Sequence, residues 1–305
     1  MNRAETYAQA KERGAVIDFS ARAKWRVNGA DRVRFINGQV SNDVRKLASD
    51  RAIHACVMTV KGKMSGDVFI SSDADSLFLD AEASLRETLA ARLERYIISD
   101  DVTIADATDD MCLFHIAIGA AKLLPPEITD VRQISAIRFC HPGIDLLAPA
   151  SRRDELWQQL GEIFVQADDE LADTFRIEAG VPRWGAELDE DTIPVEAGLD
   201  KTAIDYHKGC YIGQEIISRL KSIGHVNRQL RGFVSAAQLS AGMELFAPGS
   251  DKAAGRLTGA AWSFGLEKFA ALGYLKRGVD SHTLDARAAD GAACEVEVRE
   301  LPLIP

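Results

Sequence analysis

Two kinds of hydrophobic spacing run along the chain, and one gives way to the other near residue 227. Residues 16–19, from Val16 to Phe19, read as a short strand. Val33, Ile36 and Val40 fall on one side of a helix, with Asp31 placed to cap its start. Leu85, Leu89, Leu93 and Tyr96 lie four, four and three residues apart, the signature of an amphipathic helix. Strands are expected over 102–104 and 113–118, with turns at Pro125-Pro126 and His141-Pro142-Gly143. Leu156, Leu160 and Ile163 predict another helix over 154–164. Beyond Asn227, short alternating runs (232–235, 243–246, 257–262, 269–275 and 294–298) are broken by glycines and carry little helical period. That pattern favours a small antiparallel β-barrel. The fold class expected is α+β: a body over residues 1–225, then a barrel domain over 226–305. No internal repeat or low-complexity segment is visible.

At 305 residues the chain exceeds one ordinary domain of about 100–150 residues, so two or three are expected. Hydrophobic residues make up 47% and charged ones 27%, which fits a soluble globular protein. No stretch approaches the roughly 20 apolar residues that span a bilayer. The first 13 residues are polar, without the apolar core of a secretory signal or the character of an organelle leader, so a cytoplasmic location is expected.

Charge and cysteine usage narrow the partners. A net charge of −10, from 46 acidic and 36 basic residues, disfavours general nucleic-acid binding. Arg219, Lys221, Arg228 and Arg231 nevertheless follow one another with no acidic residue from Ile216 to Ala241. They form either a solvated basic face or an entrance for an anionic ligand tail. Cys56, Cys112, Cys140, Cys210 and Cys294 are odd in number, widely spread and without zinc-site spacing. Neither a disulfide framework nor a self-contained metal site is expected. Iron–sulfur chemistry would be indirect, or would use Cys210 with ligands from elsewhere.

The strongest local signal is Lys208-Gly209-Cys210-Tyr211-Ile212-Gly213-Gln214-Glu215, followed by Ile216, Ile217 and Leu220 on one helical face. A thiol at the start of a helix meets unsatisfied N–H groups and the positive end of the dipole, which favour the thiolate. Lys208, two residues away, is expected to act in the same direction. The competing reading is a buried, inert cysteine in a turn.

This segment resembles the signature of the YgfZ family, folate-binding proteins related to the aminomethyltransferase (T-protein) of the glycine cleavage system. Phe35 to Val44, ending Ser41-Asn42-Asp43-Val44, resembles the family's N-terminal element with serine for threonine. Arg176-Ile177-Glu178-Ala179-Gly180-Val181-Pro182, Trp184-Gly185 and Ile193-Pro194-Val195-Glu196-Ala197-Gly198-Leu199 resemble the central motif shared with the T-protein. Ala271 to Arg277 resembles the last turn of its barrel. The resemblance implies a three-lobed GcvT/YgfZ-like ring, two interleaved α/β lobes and a C-terminal barrel, with tetrahydrofolate in a central channel. It also implies work on iron–sulfur clusters of client enzymes, some of which modify tRNA. The implied partners are folate and iron–sulfur client or assembly proteins.

Site roles follow from the same resemblance. Glu178 occupies the position that binds the amino-pyrimidine edge of a pterin, and a carboxylate accepts two parallel N–H bonds. Trp184 offers a stacking face or anchors its loop. Asn42 lies at the channel wall or holds a turn with Asp43. Asp67 lies in a loop running into a strand, where the T-protein pattern is Gly-Gly-x-x-Asp-Asp; Lys63 and Gly66 stand here for a glycine and an aspartate. Asp205-Tyr206-His207-Lys208 replaces a Lys-Arg-Arg run that binds the folate tail, and neither histidine nor lysine reproduces a guanidinium fork. Three functions stay open: an iron–sulfur accessory factor using Cys210 with Lys208 as its activator, an aminomethyl or methyl transferase using Asp67 and Glu178, and a folate-sensing module without chemistry.

Overall fold

The computed structural model describes residues 2–117, 128–222 and 224–304. The Pro125-Pro126 turn and the last residue of the 113–118 strand lie outside the described residues. The chain divides into two compact units, residues 1–167 with 200–218, and residues 168–199 with 219–305.

The first unit is built on two five-stranded sheets. Its elements begin with α1 (Arg3–Arg13), β1 (Ala15–Asp18), β2 (Ala23–Asn28) and α2 (Arg32–Gln39). They continue with β3 (Ile53–Met58), β4 (Met64–Ser72), β5 (Leu77–Ala81), α3 (Arg86–Glu94) and β6 (Thr103–Asp106). The last five are β7 (Met111–Ala117), β8 (Arg132–Phe139), β9 (His141–Pro149), α4 (Arg153–Ile163) and β10 (Val165–Ala167). One sheet runs β10-β1-β7-β9-β8 and the other β3-β4-β5-β2-β6. Leu156 and Leu160 of α4 close over Val16, Phe114, Leu146 and Ala148 of the first sheet. Leu89 and Leu93 of α3 are fully buried, as the four-residue spacing predicts, whereas Tyr96 stays exposed beneath the Arg92 guanidinium at 4.1 Å.

Charge as well as hydrocarbon joins the two sheets. Arg138 on β8 is buried and reaches Asp80 on β5 and Asp145 on β9, each at 2.7 Å. Arg22 adds a 2.6 Å contact to Asp80, and His115 on β7 meets Asp145 at 2.7 Å. Burial alone would raise the Asp145 carboxyl, but Arg138 and His115 outweigh it and pull it down to about 2. Phe78 and Ala107 pack against Leu113, Ile134 and Leu147 alongside this network.

The second unit holds α5 (Asp169–Ala179) and the antiparallel barrel that the alternating runs predict, closed by six strands where five runs are visible. The strands are β11 (Arg228–Ser235), β12 (Glu244–Phe246), β13 (Ala253–Ser263), β14 (Lys268–Lys276), β15 (Thr283–Arg287) and β16 (Ala293–Arg299). They close in the order β11-β14-β13-β12-β15-β16 around Phe233, Leu245, Leu257, Ala271, Leu284 and Val296. A buried Arg176–Glu187 pair at 2.7 Å sits over Gly259 of β13, where a Cβ would come within 3.0 Å of the guanidinium. Helix α6 (Gln214–Ser222) precedes the barrel. Among the described residues no helix is long and apolar enough to cross a membrane.

Two local expectations need correction. His141-Pro142-Gly143 is not a turn but the start of β9; the chain reverses at Cys140, which adopts a φ of +59°, with Phe139 paired to His141. Pro142 is tolerated because the ladder is irregular between Ala136 and Phe139. Asp31 stands at the N-cap of α2 without capping it, its carboxylate accepting instead from the Asp101 N–H.

Replacing Arg138 with methionine is expected to cost about 3–5 kcal/mol in urea unfolding, because it strands buried carboxylates. A loss below about 1 kcal/mol would show that the network is dispensable. The pH sign follows from Asp145, whose folded pKa lies below its ordinary 3.8. Its contribution is complete above about pH 4 and disappears as the pH falls towards about 2. The Arg138→Met variant should lose that slope.

Candidate functional site

The end of α2 and the turn after it create a concentration of main-chain oxygens. Helix C-termini leave carbonyls without intrahelical partners, and here those of Asn37, Val40 and Asn42 converge. The Lys208 ammonium fills the space between them, donating at 2.6, 2.6 and 2.8 Å. An ammonium has three donors, and all three are used. The side chain is buried, with the Tyr211 ring centroid 5.0 Å from Nζ. Burial pushes the Lys208 ammonium down to about 8, with the Asp43 carboxylate opposing. Three carbonyl contacts also favour the charged form.

Other bonds stitch the cysteine segment to the same turn. Ser41 Oγ donates to the Ala203 carbonyl at 2.6 Å and accepts from the Cys56 N–H at 2.8 Å. The Asp205 N–H donates to the Ser41 carbonyl and the Ile212 N–H to that of Gly38. Asp205 accepts from Lys46 at 2.6 Å and from the His207 N–H at 2.8 Å, leaving the His207 side chain exposed. Gly213, at φ +86°, lies so close to the chain that a Cβ would stand 2.7 Å from the Thr59 carbonyl.

Cys210 is exposed, so the reading of a buried cysteine does not hold. Nor does the expectation of a thiol at a helix start: α6 begins at Gln214, four residues later, and the dipole effect fades within a turn. Lys208, expected as the activator, has its ammonium bound to main-chain carbonyls.

Asp67 lies within β4 and not in a loop, and its Oδ2 meets His54 Nε2 at 2.8 Å. The His54 ring stacks on Phe69 at 4.5 Å and 7°. Asn42 donates to the His54 carbonyl at 2.9 Å, so His54 joins two of the candidate residues. Sequence spacing missed His54, because its relation to Asp67 is a cross-strand one: Cys56 is the register partner of Asp67, two residues along. Burial and Asp67 push the Cys56 thiol upward, so it is held neutral. Gly66 faces the start of α3, where a Cβ would come 2.9 Å from Leu85, just before the helix, and 3.5 Å from Leu89 within it, leaving no room for a second carboxylate. Asp43 caps the short 3-10 turn at Val44–Lys46 and is held low by the Arg45 guanidinium.

In the second unit, Glu178 occupies the last turn of α5 and is buried. Its Oε1 accepts from Ser263 Oγ at 2.6 Å, a partner that sequence reading did not find. Its main-chain carbonyl receives the N–H groups of Leu303 and Ile304. Trp184 is half-buried in the loop after α5 and bridges to Leu188. The basic run is partly neutralised: Arg228 pairs with Glu196 at 2.8 Å and stacks on Tyr274, and Arg231 meets Glu300 at 3.2 Å. Among the described residues no group of three or more His, Cys, Asp or Glu side chains is placed to hold a metal.

Two glycines flank the thiol with opposite demands. Gly213→Ala should cost about 1–3 kcal/mol, through its left-handed backbone and the Thr59 carbonyl. Gly209→Ala, with nothing within 4 Å of its Cβ, should stay within about 0.5 kcal/mol in the same denaturation assay. Equal costs would overturn this account of the loop.

Comparison with known proteins agrees with this architecture. Residues 2–141 match the GCVT N-terminal domain. The tRNA-modifying protein YgfZ of Sodalis glossinidius is 30% identical over 218 residues, covering 67% of this chain and 66% of the relative. A mitochondrial iron–sulfur cluster assembly factor homolog of Dictyostelium discoideum is 22% identical over 260 residues, covering 72% and 62%. The chain thus spans just under two thirds of either relative's own length. The glycine cleavage system aminomethyltransferase T of Bartonella henselae superposes with a TM-score of 0.85 at 16% identity, over 98% of this chain and 89% of that one. Residues 2–141 thus belong to the GCVT N-terminal domain family, the chain resembles YgfZ in sequence, and it has the fold of the glycine cleavage aminomethyltransferase.

Proposed function

We propose that this protein binds tetrahydrofolate and assists the assembly or repair of iron–sulfur clusters in client enzymes, tRNA-modifying ones among them, through the Cys210 thiol. The observation that carries this reading is the exposed thiol on a loop stitched to the turn after α2. Relatives named for tRNA modification and for iron–sulfur cluster assembly support the client class. The client or assembly protein would approach Cys210 from solvent, and the thiolate would contact the cluster or its sulfur in transit. Buried Cys56, held neutral, is unsuited to that task.

Glu178 suits a pterin edge. It is a buried carboxylate whose Oε1 accepts from Ser263 Oγ at 2.6 Å, and a carboxylate can accept two parallel N–H bonds. Trp184, half-buried beyond the same helix, supplies an aromatic face. Bound folate would supply a one-carbon carrier; the chain's own part is to orient it.

The His54–Asp67 pair favours a second reading, folate-dependent aminomethyl or methyl transfer, since it fixes a carboxylate on a strand. Methylenetetrahydrofolate formation that survives Cys210→Ser but not Asp67→Asn would select it.

For the first reading, Cys210→Ser should fold and bind tetrahydrofolate within twofold of the parent, yet fail to restore cluster-enzyme activity in cells lacking the protein. Full restoration would remove the thiol from the mechanism. In calorimetric titration Glu178→Ala should weaken tetrahydrofolate by about tenfold or more, the worth of a charge-assisted pair of hydrogen bonds.

A further inference from the structure

The Cys210 segment stands on two feet, and each is hydrogen-bonded to one short stretch of chain, residues 37–42. Upstream, the Lys208 ammonium is bound by the carbonyls of Asn37, Val40 and Asn42. Downstream, the Ile212 N–H donates to Gly38, and Gly213 fits against Thr59. Between the feet, Gly209 has open space around it and Cys210 is exposed. The thiol therefore rides on an arch whose ends are fixed, with Gly209 and Cys210 exposed at its crown and Tyr211 buried beside the Lys208 ammonium.

We infer that Lys208 is a positioning residue for Cys210, a strut whose ammonium fixes the upstream foot of the thiol-bearing arch, and not an electrostatic activator of the sulfur. Direct activation by hydrogen bonding would need a donor turned towards the thiolate. This ammonium spends each of its donors on a main-chain oxygen, in a buried cage formed by residues 37–42. The cage also selects for shape. Three converging carbonyls suit a compact ammonium, whereas a planar guanidinium presents its donors as a fork in one plane. Arginine should therefore fail as a substitute although it keeps the charge. The inference deepens the proposed role of Cys210 and rests on it.

The test uses the whole chain in the Lys208→Met, Lys208→Arg and Lys208→Ala forms. Two quantities are followed: amide exchange at Asp205 and Ile212, and iodoacetamide labelling of Cys210 from pH 6 to 9, resolved by peptide mass from Cys140 and Cys294. A strut predicts at least tenfold faster exchange at both amides in Met and Arg variants. It also predicts a labelling-against-pH curve whose midpoint does not move. Methylammonium added to the Ala variant should restore exchange protection by refilling the cage, which keeps the test informative if the Met variant does not fold. A shifted midpoint overturns the inference whether or not protection falls, and so does unchanged protection in all three variants. Labelling and exchange read the arch alone, so failure here is distinguishable from failure of Cys210 in the complementation assay.

Discussion

The first unit depends on one guanidinium. Arg138 links a strand of each sheet through Asp80 and Asp145, and lies 4.0 Å over the ring of Phe69. Phe69 in turn stacks on His54, which holds Asp67. A buried ion network thus supports, through one aromatic ring, the strand face that carries a candidate carboxylate. Such a network adds little net stability compared with hydrocarbon of the same shape. What it supplies is a definite register: two carboxylates on different sheets admit only one placement of the fork between them.

Lys208 solves a different problem with a different cation. A helix end and the irregular turn after it expose carbonyls that water would normally satisfy. Here they are buried beneath the segment that bears the thiol. A point charge on a flexible stem can satisfy three of them at once, and in doing so brings residue 208 to the turn at residues 37–42. Planarity suits the Arg138 site, and compactness suits the Lys208 site. Exchanging the two residue types would break both.

Elements with a strong period were legible in the sequence. The 85–93 leucines, the 156–163 helix and most of the barrel runs were read because each buries one regular face. Strand β15 was not, since Leu284 and Ala286 are its only buried residues among Thr, Asp and Arg. Strand β3 and His54 were missed for a related reason: register between strands is a long-range property, and one sequence does not reveal which residue faces Asp67. The cysteine motif was legible as a candidate thiol. Its local geometry was not, because whether a lysine two residues away faces the sulfur or the main chain depends on carbonyls some 170 positions upstream.

The departures from the transferase pattern form one consistent set. Where a second aspartate would stand, Gly66 lies under Leu85 and Leu89, so α3 packs directly on β4. A carboxylate there would have to displace leucine side chains from a close-packed interior. Where a basic run would bind a folate tail, the Asp205 carboxylate and the Lys208 ammonium are both committed to holding the loop. Further on, Arg228 is occupied by Glu196 and Tyr274. The side chains at these positions pack the sheet and hold the loop, while Cys210 between them is exposed. Under the proposed function, that arrangement suits the presentation of a thiol better than the work of a carboxylate pair.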